Sequence, residues 1–197
     1  PLKDGPTLLV GAATCGRASG ALETFHAFQE EIGRLAIKVH LLQVGCLGHC
    51  YAEPIVIISR PGFPPIAYHR VNPIIASLLV RSFLLEGDPC IEFMLGALEE
   101  NDSLPTIFEL PRFQKEKRIL LKRCGLIDPE DIHQSIANGG YGGLCRALEK
   151  EPQEIISLIQ ASGLRGRGGA GYPTGRKWEL VAQAEGQPKY VIVNADE

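Results

Sequence analysis

The sequence lacks the features that would assign it to a membrane, to nucleic acid or to secretion. Its longest apolar stretch, residues 74–85, contains Arg81 and is shorter than the ~20 residues that a membrane-spanning helix requires. The net charge is -3, and no long basic run is present that would track a phosphate backbone. Residues 1–6 include Lys3 and Asp4, which is unlike a signal peptide. We therefore expect a soluble, cytoplasmic protein with no membrane span and no nucleic-acid partner.

Tryptophan is nearly absent, since Trp178 is the single one, whereas six cysteines are present. In a reducing compartment, closely spaced cysteines more often bind metal or do redox chemistry than form structural disulfides. Cys46 and Cys50 are separated by three residues and follow an apolar run, and Cys15 follows an earlier one. Because loops after neighbouring parallel strands leave the same edge of a sheet, we expect the three thiols to meet there. No C-x-x-C pair is present at these positions, which disfavours thioredoxin-type exchange.

The hydrophobic pattern predicts an α/β fold. Strands are expected at residues 7–10, 37–44, 55–59 and 65–68, and helices at residues 18–32 and 72–86. Asn72 is the expected N-cap of the second helix, with Pro73 at its first position. This order, β-α-β followed by a β-hairpin and a helix, predicts a thioredoxin-like (βαββα-type) domain over residues 1–88.

The remaining residues predict a linker and a second α/β domain. Residues 89–115 are expected to form the linker, with one short helix at 91–98, and residues 116–197 the second domain. Within that domain we predict strands at 118–121 and 190–193, and helices at 128–140, 142–148 and 152–160. Phe25, Phe28, Cys145 and Trp178 are expected to be packing residues.

A glycine-rich loop at residues 163–175 is the most informative stretch. Glycines let backbone N–H groups approach an anion without a Cβ in the way, so the loop suits a phosphate-bearing cofactor. Arg165, Arg167, Arg176 and Lys177 add positive charge, and Tyr172 offers a flat ring. The G-x-G-x-x-G spacing within it is weak support for a Rossmann entry, because a helix rather than a strand is expected before it. The alternative is a flexible surface loop.

The front part of the chain resembles the thioredoxin-like [2Fe-2S] ferredoxin family, which is also found fused to some flavin subunits. The resemblance lies in C-G-R-A-S-G from Cys15, and in C-L-G-H-C from Cys46 to Cys50 with Glu53-Pro54 after it. That family uses four cysteines, and the first, a few residues before the position of Cys15, has no counterpart here. The resemblance therefore implies metal ligation by Cys15, Cys46 and Cys50 in a possible [2Fe-2S] cluster.

Three interpretations of these thiols stay open. They hold an iron–sulfur cluster with a fourth ligand such as His40 or His49, they hold zinc with a histidine, or they are small residues of a domain that has lost its cluster. Cys90 and Cys124 are scattered and are not assigned as ligands.

The run G-L-R-G-R-G-G-A-G-Y-P-T-G-R-K-W at residues 163–178, with V-N-A-D-E at residues 193–197, resembles the FMN- and NADH-binding flavoprotein subunit of NADH dehydrogenases and NAD-reducing hydrogenases. The resemblance implies that the second domain is the start of an α/β FMN-binding domain. It also implies that the cofactor-binding residues are Gly166, Arg167, Gly168, Gly169, Ala170, Gly171, Tyr172, Lys177, Asn194, Asp196 and Glu197.

That resemblance also predicts the activity. Such a subunit takes hydride from NADH onto FMN and passes electrons to iron–sulfur centres, and no side chain here is expected to act as a catalytic acid or base. The partners would be other subunits of a hydrogenase, formate dehydrogenase or complex-I-like assembly. The family continues for hundreds of residues that include a [4Fe-4S] site, so we expect this chain to be a truncated and inactive piece. The alternative is a non-catalytic docking or electron-relay module of a larger redox complex.

Overall fold

The computed structural model describes residues 5–119 and 121–192. The chain divides into two compact units, Pro1–Ser135 and Ile136–Glu197. It has the predicted mixed α/β character, with a five-stranded sheet in the first unit. Within the described ranges, no helix is both long enough and apolar enough to cross a membrane.

The first unit has the predicted thioredoxin-like order of elements. Its strands are β1 (Thr7–Gly11), β2 (His40–Val44), β3 (Val56–Ser59), β4 (Ile66–Tyr68) and β5 (Met94–Ala97), and the sheet order is β2-β1-β3-β4-β5. β1 and β2 are parallel, and the other neighbours are antiparallel. A parallel pair needs a crossover connection, and α1 (Thr14–Ala18) and α2 (Ala21–Leu35) provide it.

Both faces of this sheet are covered, because alternate strand residues point to opposite sides. Val56 and Ile58 pack with Phe28 of α2 in one buried cluster. Ile55 and Ile57 belong to a second cluster instead. Both phenylalanines were expected to pack in a core. Phe28 is fully buried there, whereas Phe25 is partly buried against the same cluster.

The helix predicted from Asn72 is confirmed, with an irregular second half. The Asn72 Oδ1 accepts a hydrogen bond from the Ile75 N–H at 3.0 Å, as expected of an N-cap. The helix α3 (Pro73–Leu79) continues as a π-helix over Val80–Glu86. It ends at Gly87, whose φ of 86° suits glycine.

The stretch predicted as a linker supplies the edge strand of the sheet. The short helix predicted at residues 91–98 is wrong: a 3₁₀ turn at Ile91–Phe93 leads into β5, which pairs with β4. Gly96 approaches the neighbouring backbone closely, since a Cβ added there would lie 2.5 Å from the Ile107 backbone nitrogen.

No strand forms at the described positions of the predicted 118–121 segment, where the chain bends and turns and where residue 120 lies outside the described ranges. α4 (Ile132–Ala137) follows. The second unit contains α5 (Gly142–Leu148), α6 (Pro152–Ala161) and α7 (Thr174–Gln183). Tyr190 to Ile192 have no regular structure, and Val193, the last residue of that predicted strand, is not described.

Two residues expected to pack in a core are exposed instead. Cys145 lies on α5 with its thiol accessible, and Trp178 on α7 is 43% exposed. Both helices are short, and among the described residues of the second unit Ile156 is the one buried large side chain. There is thus too little apolar cover for either residue to be enclosed.

Candidate functional site

The glycine-rich loop between α6 and α7 is closed at its base. The Gly166 N–H donates to the Tyr172 carbonyl, and the Thr174 N–H donates to the Leu164 carbonyl, both at 2.9 Å. Arg165 and Pro173 form the antiparallel bridge between these two bonds. Residues 166–172 are therefore presented as a bounded turn rather than as a free surface loop.

Two arginines of the loop brace it from within. The Arg165 Nε donates to the Gly171 carbonyl at 2.7 Å, and the Arg167 guanidinium donates to the Arg165 carbonyl at 2.7 Å. Both side chains remain exposed, so their charge is still available to an anion. Arg176, by contrast, is paired with Glu179 on α7.

The tip of the loop is open around its glycines. A Cβ added at Gly168 or Gly169 would meet no atom within 4 Å, and Gly169 and Gly171 have φ values of 38° and 56°. Among the described residues, no backbone carbonyl accepts from the N–H of Gly168 or Gly169. Free N–H groups on an open turn beside two arginines suit a phosphate, so the residues present fit the phosphate end of FMN.

The two helices that hold the loop touch closely at Gly175. A Cβ added there would lie 2.6 Å from the backbone nitrogen of Gln160 on α6, so glycine is required for this approach. Tyr172 lies on the loop and is 45% exposed, and Lys177 lies in the first turn of α7. Ala170 also belongs to the open turn. Asn194, Asp196 and Glu197 lie outside the described residues.

The predicted thiols lie at the edge where β1 and β2 end, with Cys50 next to Cys15 and next to Cys46. Cys15 is in α1 and Cys50 begins a 3₁₀ turn at Cys50–Ala52, and both are exposed. The two thiols share a hydrogen bond, which raises the pKa of Cys15. Cys46 is half-buried beside Cys50, and burial raises its pKa to about 11.

The sequence reasoning missed Glu53, a buried carboxylate behind the thiols. Its Oε2 accepts from the Ile55 N–H at 2.8 Å, and its Oε1 accepts from the Cys46 thiol at 3.7 Å. Burial raises the pKa of this carboxyl. The Glu-Pro pair after the cysteine motif was its only signal, because a lone glutamate is normally exposed.

The two histidines considered as fourth ligands do not join the thiols. His40 begins β2, whereas the thiols follow its end. His49 is fully buried with its ring stacked on Phe113 at 4.2 Å. Its Nδ1 lies 3.3 Å from the Tyr51 hydroxyl, and its Nε2 has no partner in the described ranges. Burial lowers the pKa of His49.

These positions do not complete the ligand set of a [2Fe-2S] cluster. Across the described part of the chain, no three or more His, Cys, Asp or Glu side chains are arranged to hold a metal ion. The cysteine-free stretch before Cys15 is backed by the Glu53 carboxylate, whose Oε2 would lie 3.4 Å from a Cβ at Gly11. That separation is an ordinary van der Waals contact, so the Glu53 carboxylate lies next to this stretch without closing it to a side chain.

Comparison with known proteins finds a family model that covers the glycine loop. The family model described as the Nuo51 FMN-binding domain matches residues 159–197. The HndC subunit of the NADP-reducing hydrogenase of Solidesulfovibrio fructosivorans is 49% identical over 84 residues, which cover 43% of this chain and 17% of that protein. The F subunit of the NADH-quinone oxidoreductase of Aquifex aeolicus is 46% identical over 90 residues, 45% of this chain and 21% of that protein. The chain thus spans about a fifth of the length of these relatives.

Solved structures similar to this chain include two of the thioredoxin-like [2Fe-2S] ferredoxin from Aquifex aeolicus. One has a TM-score of 0.40 at 22% identity and covers 46% of this chain and 96% of that protein. The other has a TM-score of 0.42 at 20% identity and covers 49% of this chain and 94% of that protein.

Proposed function

We propose that this chain, whose residues 159–197 match the Nuo51 FMN-binding domain, is part of an NADH:acceptor oxidoreductase subunit. In that subunit hydride would pass from NADH to FMN, and electrons would continue to iron–sulfur centres. The observation that carries the proposal is the glycine turn. Backbone hydrogen bonds close its base, its tip is open, and Arg165 donates to the Gly171 carbonyl within it. The turn lies within residues 159–197, which the family model matches.

The role proposed for this chain is binding and orientation. The N–H groups of Gly168 and Gly169 would bind the FMN phosphate, Gly166 would close the base of the turn, and Arg165 and Arg167 would neutralise the phosphate charge. FMN supplies hydride acceptance and one-electron release when it is bound, chemistry that side chains alone do not provide. No residue here needs to act as an acid or base.

Other residues of the proposed site have roles at the reacting rings. Tyr172, half exposed at the side of the turn, would stack on the nicotinamide nucleotide. Lys177 would reach toward the flavin, and Asn194, Asp196 and Glu197 would line its edge. The partner subunits and a [4Fe-4S] centre belong to the same proposal, as does a cytoplasmic location. The chain alone is expected to bind FMN weakly and not to oxidise NADH.

Binding rather than turnover therefore tests the proposal. We would titrate FMN into the ¹⁵N-labelled chain and follow amide shifts, with Arg165→Gln as the test variant and Arg146→Gln as the control. Arg146 is also exposed but lies on α5. Loss of a charge-assisted contact worth about 1.5 kcal/mol predicts roughly tenfold weaker binding for Arg165→Gln. The control should bind like the wild type.

Saturable shifts confined to residues 163–178 would support the proposal. Absence of saturable shifts, or equal weakening by the control, would contradict it. The second candidate is a docking or relay module, and it is favoured by the thiol edge of the first unit, which does not complete a cluster within the described residues. A chain that ignores FMN yet binds a partner subunit through its first unit would support that alternative.

A further inference from the structure

A later stretch of the first unit covers its cysteine loop. We call residues 46–52 the cysteine loop and residues 112–119 the strap. The Phe113 ring of the strap is 9% exposed and stacks on the buried His49 ring, with centroids 4.2 Å apart and planes 21° apart. Phe113 also belongs to the same buried cluster as Leu47. The strap and the cysteine loop therefore share an apolar contact that excludes water.

Arg118 holds the strap to the backbone of the cysteine loop. Its Nη2 donates to the Leu47 carbonyl, and its Nε donates to the Glu116 carboxylate at 3.1 Å, so Glu116 orients the guanidinium. The guanidinium also lies over the Phe113 ring, 5.5 Å from the ring centre, as in a cation–π contact. The Arg118 side chain is 22% exposed, so water screens these contacts only in part. One side chain thus joins the polar and the aromatic contacts of the strap.

The closed arrangement leaves one buried polar atom without a partner. His49 is fully buried, and its Nε2 accepts or donates no hydrogen bond within the described ranges. A buried polar atom in this state destabilises the closed arrangement, because in water it would be hydrogen-bonded. Uncovering the ring would return that bond. The free energy lost when the strap leaves the cysteine loop is therefore partly offset at His49.

The sheet is held by different contacts. β1 lies between β2 and β3 and bonds to both, so its amides open only when the ladder breaks. The cysteine loop has fewer bonds of its own, among them the Ala52 N–H to the His49 carbonyl at 2.8 Å. A segment held by few contacts opens locally at a lower cost than the strands of a sheet.

We propose that the strap is a conformational device with two states, in which it opens together with the cysteine loop when the Arg118 contacts break, while the five-stranded sheet stays folded. The closed state buries His49 and fixes the loop that carries Cys46 and Cys50. The open state uncovers the His49 ring and the backbone of the loop. Arg118 and Phe113 are positioning residues in this device. The proposal is independent of FMN binding.

Hydrogen exchange of the full chain, measured by peptide mass, tests the device. In Arg118→Gln, peptides of the cysteine loop and of the strap should exchange about tenfold faster than in the wild type, the factor expected when a hydrogen bond to a charged group is lost. Peptides of β1 and β3 should keep their wild-type rates. Lys117→Gln is the matched control, because Lys117 is an exposed cation of the same strap, and it should match the wild type throughout.

A second variant shows whether the two positioning residues act on one opening. Phe113→Leu should also speed exchange in the loop and the strap. The double variant should exchange faster than either single variant, by less than the product of the two effects, because the two side chains contact each other. Circular dichroism would show that each variant is folded. Unchanged loop exchange in Arg118→Gln would overturn the proposal. So would equal acceleration in β1 and β3, acceleration in the strap alone, or effects that multiply in the double variant.

Discussion

The two units of this chain use apolar residues in opposite ways. In the first unit, helices and sheet bury side chains such as Phe28, Tyr68 and Phe83 completely. In the second unit, most of the large apolar residues remain exposed, among them Leu148, Leu158, Trp178 and Leu180. The first unit encloses a core of buried apolar side chains. The second unit holds a glycine turn on helices whose apolar side chains are mostly exposed. Buried apolar packing and the proposed binding site thus lie in different parts of the molecule.

The largest expected effect is the difference in stability loss when a large side chain is truncated in the first unit and in the second. Phe28→Ala removes a fully buried ring from the first unit, and such changes cost about 3–5 kcal/mol. Trp178→Ala removes a larger side chain that is 43% exposed, and we expect a loss of less than about 1 kcal/mol. Urea unfolding followed by circular dichroism measures both variants. Equal losses would show that the second unit has a core of its own.

Hydrogen exchange should show the same contrast without any substitution. Amides of β1 and β3 lie inside the sheet and open only with the first unit, whereas amides of α5 and α6 are held by short helices. We expect exchange in the strands to be about a hundredfold slower, corresponding to about 3 kcal/mol of opening free energy. Exchange mass spectrometry of the full chain measures this ratio. Similar protection in both units would remove the distinction.

Gly175→Ala tests the close approach of α7 to α6 in the second unit. The added methyl would meet the backbone of Gln160, and such overpacking costs about 1–3 kcal/mol. Gly143→Ala is the matched control, because a Cβ there meets nothing within 4 Å, and it should be neutral or slightly stabilising. Trp178, the single tryptophan, reports unfolding of this unit by its fluorescence. An unchanged Gly175→Ala midpoint would show that α6 and α7 adjust freely.

The contrast also explains what the sequence could predict. Periodicity was sufficient for the first four strands, for α2 and for the helix after Asn72, because these elements bury a regular apolar face. β5 was missed because it forms by pairing with β4, a strand more than twenty residues earlier in the chain, which no local pattern reveals. Trp178 was misassigned because an apolar side chain indicates a core only where enough partners surround it.

The sites show the same limit. The sequence alone shows the glycines and cations of residues 163–175. It does not show the hydrogen bond from Arg165 to the Gly171 carbonyl, which shapes the turn. The meeting of Cys15 with Cys50 followed from strand order. The burial of Glu53 behind Cys46 could not be predicted from strand order, because burial depends on how the whole unit packs.

The smallest predicted effect is a pH dependence that belongs to the first unit alone. Glu31 on α2 is buried and contacts Arg34 and Arg81, each at 2.6 Å. Hydrogen bonds from Arg34 and then Arg81 lower its pKa from 4.5 to about 2. Because the folded-state pKa is the lower one, the stabilisation is complete above the ordinary pKa and is lost as pH falls toward about 2.

Acid titration of Glu31→Gln tests this coupling. The variant should be less stable than the wild type near neutral pH, and the difference should shrink as pH falls from about 4.5 to about 2. Glu30→Gln, an exposed neighbour on the same helix, is the control and should follow the wild type. Trp178 fluorescence should not register the Glu31 change, since that residue belongs to the other unit. A difference that stays constant with pH would mean that Glu31 acts by packing and not by its charge.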